Sequence, residues 1–422
     1  MKDLALFVKC DSRFGRGFIM RNANHNSRNM IWSICVILVL WAPGACAAVS
    51  SPSPDNAALL YYQASLRRPE FDDDTFLHFD SVLRGAQPDE EVREYLNMVE
   101  TRETLSIAEA ATKILDCSWG IVLRARNGSS LNTVLAQLRQ LAFLLEVDAR
   151  TLAFDGDYRA AFDRCLSIRR LAHHIADEGI IGYLVSLSLH GRAFRCIQHI
   201  LSSMSPDADT LTWLQAQLGT VQGAPPSPGR AMEITLDDIL EFYRMYPASL
   251  AEWRENILER IEDENVRQEF LNLTDEEFLD RVRISSESFL ASLNRVIGGD
   301  MPYLQKNVEL QVLKEERADH VDYNKPADIP YLGDDVDDVI GYHDIYVGHL
   351  TSFNAIRAAI EIYIMKAETG QLPEILPPHL PEDPFSGQDF EYEVTGQDFV
   401  LRRREKTIGN NKLWEYEFVV VQ

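Results

Sequence analysis

Cysteine is scarce in the body of this 422-residue chain, and its spacing excludes the usual cysteine-based sites. Three of the six cysteines precede residue 47, and those that follow are Cys117, Cys165 and Cys196. No C-x-x-C pair occurs, so the sequence predicts neither a zinc knuckle nor a disulfide framework. All three lie in apolar helical patterns and are predicted to be small core residues. One bridge between Cys165 and Cys196 could form in an oxidising compartment.

The strong catalytic signatures are also missing from the sequence. It contains no G-x-S-x-G, no Walker A motif, no H-E-x-x-H, no strand-linked G-x-G-x-x-G and no EF-hand loop. The usual signatures of α/β-hydrolases, P-loop nucleotidases, zinc proteases and dinucleotide-binding enzymes are therefore absent. No catalytic residue and no cofactor is predicted.

Positive charge is in short supply, since 41 lysines and arginines oppose 65 carboxylates and give a formal net charge of −24. The first 47 residues hold six basic and two acidic side chains, so the rest of the chain is more acidic still. A surface of this sign repels phosphate backbones and anionic lipid headgroups, and nucleic acid is not predicted as a partner. Hydrophobic residues make up 46% of the chain, which is a globular and not a disordered composition.

An uncharged apolar run, residues 30–42, follows a basic stretch and precedes a helix-breaking Pro-Gly pair. Ala45 and Ala47 then give the A-x-A pattern that signal peptidase reads, with cleavage before Ala48. The sequence therefore predicts an export signal with an N-terminal extension over residues 1–47. The mature protein is expected to be exported, periplasmic or envelope-associated.

The alternative is a retained membrane anchor formed by residues 30–49. A spanning helix needs about 20 apolar residues, and Pro43 and Gly44 interrupt a run of that length. Membrane contact is predicted only through this N-terminal segment, if it is retained.

Long amphipathic helices dominate residues 55–222, the predicted helical body. Apolar residues recur at spacings of three and four across three consecutive segments, residues 131–152, 158–175 and 180–201. Because the turns between these segments are short, neighbouring helices are predicted to run antiparallel.

The first two of these helices resemble one tetratricopeptide repeat. The residues that carry the likeness are Ala149, Gly156, Tyr158 and Ala161, with small residues where two helices approach each other. A step of one repeat length, about 34 residues, puts Arg195 where a small residue is needed. The expectation is therefore a single helical hairpin and not a repeat array.

A loop rich in glycine and proline, residues 223–229, separates the helical body from a second helical region at residues 230–320. Within that region Thr274 and Glu277 form a capping-box pattern. The acidic residues 322–344 are predicted to be irregular.

The C-terminal region, residues 345–422, is predicted to hold a helix and a small antiparallel sheet. The helix is expected from Ile345 to Lys366. Alternating segments at residues 390–394, 399–403 and 414–421 are predicted to be strands. The fold class is thus mainly α, built of antiparallel helical hairpins, with a small β unit at the C-terminus.

Five short segments of this C-terminal region together form a recognisable pattern of a helix, a turn and a hairpin. They are residues 355–363, 370–373, 380–387, 390–392 and 398–401. The pattern resembles the globular end of type II secretion pseudopilins. The resemblance implies that a helix buries Ile356, Ile360 and Tyr363 against a hairpin. It also implies that the Asp-Pro-Phe-Ser-Gly turn before the hairpin seats Phe385.

Two features of the pseudopilin family do not carry over to this chain. The processed N-terminal helix with its prepilin cleavage motif is absent. So is the tail that completes the family's calcium site, because Leu401 runs on into three arginines. The mature chain as a whole is similar to uncharacterised envelope proteins of planctomycetes. That likeness implies a fold and a compartment but no activity.

Two histidines and two carboxylates give the sequence its one weak candidate metal site. His173 and His174, with Asp177 and Glu178, put a histidine and a carboxylate four residues apart twice on one helix. The competing interpretation is a solvated helix end that carries histidines and charge pairs. No third or fourth ligand can be identified, so no metal is predicted.

These observations favour a non-enzymatic, exported envelope protein that acts as a helical scaffold or docking module for an envelope protein partner. The main alternative is a hydrolase with a non-contiguous site of carboxylates, such as the pairs Asp237–Asp238 and Glu276–Glu277 on the acidic helices. A third hypothesis is a divergent pilin-related assembly subunit.

Overall fold

The computed structural model describes residues 55–119, 129–221, 227–320, 336–404 and 415–421. These residues form fourteen α-helices and one three-stranded antiparallel sheet, which confirms the predicted mainly-α fold with a small C-terminal β unit. The predicted export signal, residues 1–47, and its alternative as an anchor, residues 30–49, lie outside the described residues. Within the described ranges, no helix combines the length and apolar character needed to cross a membrane.

Four helices begin the described chain. Their bounds are α1 Ala57–Arg67, α2 Asp73–Leu83, α3 Glu90–Asn97 and α4 Val99–Ala111. The first three begin at side-chain caps, because Asn56, Asp72 and Asp89 each accept a hydrogen bond from a backbone N–H of the first turn. α1 and α4 run antiparallel, since Arg67 at the end of α1 pairs with Glu103 near the start of α4.

Three long helices follow and form the predicted antiparallel hairpins. They are α5 Ser129–Phe154, α6 Tyr158–Ala176 and α7 Gly179–Leu201. Gly156 turns the chain between α5 and α6 with a positive φ of 85°, and Ala149 and Ala161 are fully buried where the two helices meet. The hairpin predicted from the small residues is therefore confirmed.

The link between α6 and α7 requires a second close approach of the backbone. A Cβ atom on Gly182 would lie 2.6 Å from the carbonyl oxygen of Ile175 and 2.8 Å from the Cβ atom of Glu178. Only glycine fits without moving one helix away from the other.

The second helical region has its own hydrophobic core. After α8 Ala208–Thr220, which packs on the helical body, the elements are α9 Pro228–Met245, α10 Pro247–Leu258, α11 Glu264–Leu271, α12 Asp275–Gly298 and α13 Tyr303–His320. Both hydrogen bonds of the capping box predicted at Thr274 and Glu277 are present.

The last helix, α14, spans Val336–Thr369, and the strands are β1 Glu391–Thr395, β2 Asp398–Arg402 and β3 Glu415–Phe418. The prediction that residues 322–344 are irregular is wrong from Val336 onward, while residues 321–335 lie outside the described part of the chain. The acidity of this stretch obscured a helical spacing in Val336, Val339, Ile340 and His343.

The C-terminal sheet packs on α14 as the sequence predicts. The strands pair in the order β1-β2-β3, and Phe399 lies opposite Phe418. Ile356, Ile360 and Tyr363 are buried on the facing side of α14, and the Tyr363 hydroxyl donates to the carbonyl of Val419 (2.8 Å). These residues share one core with α6, α7 and α8.

The turn before the sheet seats Phe385. The Asp383 carboxylate accepts hydrogen bonds from the Phe385 N–H (3.1 Å) and the Ser386 hydroxyl (3.0 Å). The Phe385 ring is buried, with its centroid 4.3 Å from the ring of Tyr303 and 3.6 Å from the guanidinium carbon of Arg403. The turn thereby joins the sheet to α13.

We expect the substitution Gly182→Ala to lower the free energy of unfolding by about 1–3 kcal/mol, because the added methyl group forces α6 and α7 apart. The matched control is Gly219→Ala in α8, where a Cβ atom meets nothing within 4 Å. That change should leave stability equal or raise it by up to about 1 kcal/mol through helix propensity. Urea denaturation followed by circular dichroism measures both, and effects of the same sign would contradict the close-approach argument.

Candidate functional site

The structure separates the two histidines of the predicted metal candidate. His174 shares a hydrogen bond between its Nδ1 atom and the Tyr61 hydroxyl of α1 (2.8 Å), whereas the ring of His173 faces His190 of α7 at 4.8 Å between centroids. Asp177 is the C-cap of α6. Across the ranges that the structure describes, no group of three or more His, Cys, Asp and Glu residues could hold a metal ion.

The remaining predicted groups have structural roles. Glu276 pairs with Arg244 (3.2 Å) and Asp237 with Arg283 (3.6 Å), while Glu277 caps its helix. The two cysteines predicted as a possible bridge, Cys165 and Cys196, are free and fully buried. Burial, together with the hydrogen bond to Cys196, raises the pKa of the Cys165 thiol well above its usual value.

His173 does belong to a different group, the buried cationic cluster, which consists of Arg169, His173, His190 and His349. The cluster joins α6, α7 and α14. The rings of His190 and His349 lie 4.9 Å apart, and His173 contacts His190 from the other side. Phe194 packs against both Arg169 and His349, at 5.4 Å from the guanidinium carbon and 5.1 Å between ring centroids.

Among the described residues, no carboxylate lies within salt-bridge distance of Arg169. Arg169 is 1% exposed, and its Nε and Nη1 atoms are buried with no hydrogen-bond partner among the described residues. The guanidinium carbon lies 4.8 Å from the ring of Phe353 and 5.4 Å from that of Phe194. Burial, followed by the nearby charge of Arg170, lowers the pKa of Arg169 to about 10. The side chain is therefore still a cation at neutral pH.

His190 and His349, beside Arg169, are neutral at the same pH. His190 is fully buried, and neither of its ring nitrogens has a hydrogen-bond partner. Burial, then the neighbouring His349, Arg169 and His173, holds the pKa of His190 well below its usual 6.5. Burial, then Arg169 and His173, lowers the pKa of His349 to about 3. No carboxylate is among the groups that shift either pKa.

Other buried arginines nearby show a different arrangement. Glu146, itself buried, accepts hydrogen bonds from Arg150 (3.2 Å) and Arg192 (2.5 Å). Arg164 donates to Asp148 (2.6 Å) and to Glu109 (2.8 Å). Arg150, Arg192 and Arg164 are thus neutralised by acidic partners, as buried charges usually are.

Sequence reasoning did not find this cluster, because its members come from three helices that are distant along the chain. One signal was available in α6. Arg169 and His173 are spaced four residues apart, and Arg169 falls among the apolar residues of the buried face. The contributions of His190 and His349 depend on tertiary packing alone.

A second feature lies on the surface, between α1 and α4. This α1–α4 groove is open, has a volume of about 450 Å³, and is lined by Gln63, Arg67, Arg102, Glu103, Ser106 and Ile107. Leu66, beside Arg67, is 84% exposed, and Val99, one turn before Arg102, is 68% exposed. Two large, exposed aliphatic side chains thus lie close along the helices to the two arginines that line the groove.

No family model, no curated protein and no solved structure matches this chain.

We expect the buried cationic cluster to make the protein sensitive to acid. Because the pKa values of His190 and His349 are lower in the folded state than in the unfolded state, the unfolded chain binds more protons below pH 6.5. Each such histidine should remove up to about 1.4 kcal/mol of stability per pH unit as the pH falls from 6.5 toward its folded pKa.

The test compares urea denaturation at pH 7 and pH 5 for the native sequence and for His349→Phe, which keeps an aromatic ring and cannot titrate. The variant should lose less stability on acidification. The control is His379→Gln, since His379 is an exposed residue paired with Glu361 on the surface. An unchanged pH dependence in His349→Phe would contradict the argument.

Proposed function

We propose that this protein is a non-enzymatic docking protein of the bacterial cell envelope, and that the α1–α4 groove is its contact surface. The observation that carries the proposal is the exposure of Leu66 and Val99 beside an open groove with two arginines. Burying an exposed aliphatic side chain at a contact contributes about 1.5–3 kcal/mol. Apolar side chains grouped in this way on a surface are typical of protein interaction sites.

The charges of the groove define the chemistry of the partner. Arg67 is paired with Glu103, whereas Arg102 contacts the side-chain oxygen of Asn97 and, within the described residues, no carboxylate within salt-bridge distance. A cation that is not neutralised favours a partner carboxylate, because a charge-assisted hydrogen bond is stronger than a neutral one. The proposed occupant is therefore an extended or helical segment of an envelope protein that carries aliphatic side chains and a nearby Asp or Glu.

The groove is built on a rigid base, which suits a docking role. α1 is held to α6 by the hydrogen bond between Tyr61 and His174, and Arg68 at its end donates to Gln140 of α5 (2.6 Å). Trp119, beyond α4, stacks on Tyr61 and donates to the carbonyl of His174 (2.8 Å). A surface that is ordered before binding loses less conformational entropy on binding.

Two parts of this proposal rest on sequence patterns. The envelope location is supported by the signal-like segment at residues 30–47. The pseudopilin-like end is proposed as a second contact surface, and its outer strand β1 offers a largely exposed edge.

The docking proposal predicts specific cross-links from the groove in living cells. A photo-reactive benzoylphenylalanine placed at Leu66 should give a discrete adduct with one envelope protein, identified by mass spectrometry of the joined peptides. The joined segment should contain aliphatic residues and an Asp or Glu. The same substitution at Ile284, which is 65% exposed on α12, is the matched control and should not give this adduct.

Charge reversal supplies the second arm of the experiment. Arg102→Glu should reduce the yield of the adduct about tenfold or more, which corresponds to about 1.4 kcal/mol of binding free energy. Because Arg102 lies on the surface, circular dichroism should show a folded variant. Identical adducts from positions 66 and 284, or an adduct that Arg102→Glu leaves unchanged, would refute the proposal.

A further inference from the structure

The uncompensated charge of Arg169 needs a physical explanation. Moving an ion out of water is unfavourable even after relaxation of the protein, and a buried cation is normally paired with an acid. The contacts of the Arg169 guanidinium with the rings of Phe194 and Phe353 offset part of this cost, because a cation is attracted to the face of an aromatic ring. They do not satisfy the N–H groups at Nε and Nη1, which are buried without a partner.

Further polar groups without partners lie beside this arginine. Neither ring nitrogen of His190 has a hydrogen-bond partner, and a neutral imidazole donates through one of its two nitrogens. Ser186, one turn earlier on the same face of α7, is fully buried, and its hydroxyl is likewise without a partner. The ring of Phe194 joins these groups, because it contacts Arg169, stacks at 6.3 Å on His190 and packs against His349.

We infer that the buried cationic cluster is a binding site for one small oxyanion, held by the N–H groups of Arg169 and the imidazole of His190. The donors present are those that recognise carboxylate and phosphate oxygens. The site is closed, since Arg169 and His190 are almost completely buried, which restricts the ligand to a small ion such as acetate or inorganic phosphate.

The groups around the site make binding depend on pH. Arg169 and His173 face it from α6, with Arg170 next along that helix, His190 from α7 and His349 from α14. All of these are bases, so a bound anion favours the protonated histidines, and by linkage acidification strengthens anion binding. The anion should therefore oppose the loss of stability at low pH.

The experiment measures the midpoint of thermal unfolding of the full chain in sodium phosphate, sodium acetate and sodium chloride at equal ionic strength, at pH 7.5 and pH 6. We expect at least one oxyanion to raise the midpoint by about 2 °C or more above its value in chloride. The increase should be larger at pH 6. Comparing the midpoint in phosphate with that in acetate shows whether the site prefers a tetrahedral or a planar anion.

The decisive variant is Arg169→Met, which keeps the length of the side chain and removes its charge. Because it also removes an uncompensated buried ion, it should remain folded, with stability equal to or above that of the native sequence in chloride. It should lose the oxyanion effect. The control Arg192→Met alters an arginine that is already paired with Glu146 and should retain the effect.

Isothermal titration with inorganic phosphate and with acetate provides an independent measurement of binding. Saturable binding of either ion by the native sequence, abolished in Arg169→Met and kept in Arg192→Met, would support the site. Equal midpoints in the three salts together with no saturable binding, or an oxyanion effect that Arg169→Met retains, would overturn the inference. The inference does not depend on the docking proposal, because Arg169→Met leaves the α1–α4 groove untouched.

Discussion

Enclosure of α7 on several sides is the constraint on which the rest of the fold depends. α7 packs against α5, α6, α9 and α14, and buried residues occur around much of its circumference. A helix covered in this way cannot direct its polar side chains to water. The tight passage at Gly182 fixes how α6 lies on it, and Ile197, Ile200 and Leu201 connect it to the core that the C-terminal sheet completes. The helical body and the β unit are thereby one packed structure around a single helix.

The cationic cluster follows from the same enclosure. His190 sits on α7 in contact with His173 of α6 and His349 of α14 and is fully buried, so its ring loses water on folding, and burial is the main reason for its lowered pKa. Burying a neutral histidine at such a position costs much less free energy than burying a charged group does. The guanidinium of Arg169 has no neutral form near pH 7. Its desolvation is therefore the main electrostatic cost of burial in this part of the core.

The sequence allowed the hairpins to be predicted because α5, α6 and α7 carry regular apolar spacing and a turn at Gly156. The Asp-Pro-Phe-Ser-Gly turn was expected only from the resemblance of this region to pseudopilins, although the hydrogen bonds that form it, from the Phe385 N–H and the Ser386 hydroxyl to Asp383, are local. α2 was missed although Asp72 caps it, because the acidic residues around the cap resemble a loop. The same acidity concealed the start of α14. The cluster could not be predicted, because His190 and His349 are 159 residues apart in sequence and meet only through the packing of their two helices.

The arginines of the helical body show that stability alone does not account for Arg169. This chain has 65 carboxylates, and Glu146, Asp148 and Glu109 supply partners to Arg150, Arg192 and Arg164 within the same helices. An apolar side chain of similar length could fill the space between Phe194 and Phe353 without the cost of desolvating a charge. A residue that stabilises the fold less well than its simplest replacement needs another reason to be there. The combination of an uncompensated cation with the imidazole of His190, whose ring nitrogens lack hydrogen-bond partners among the described residues, is what an anion requires, and packing requires neither feature.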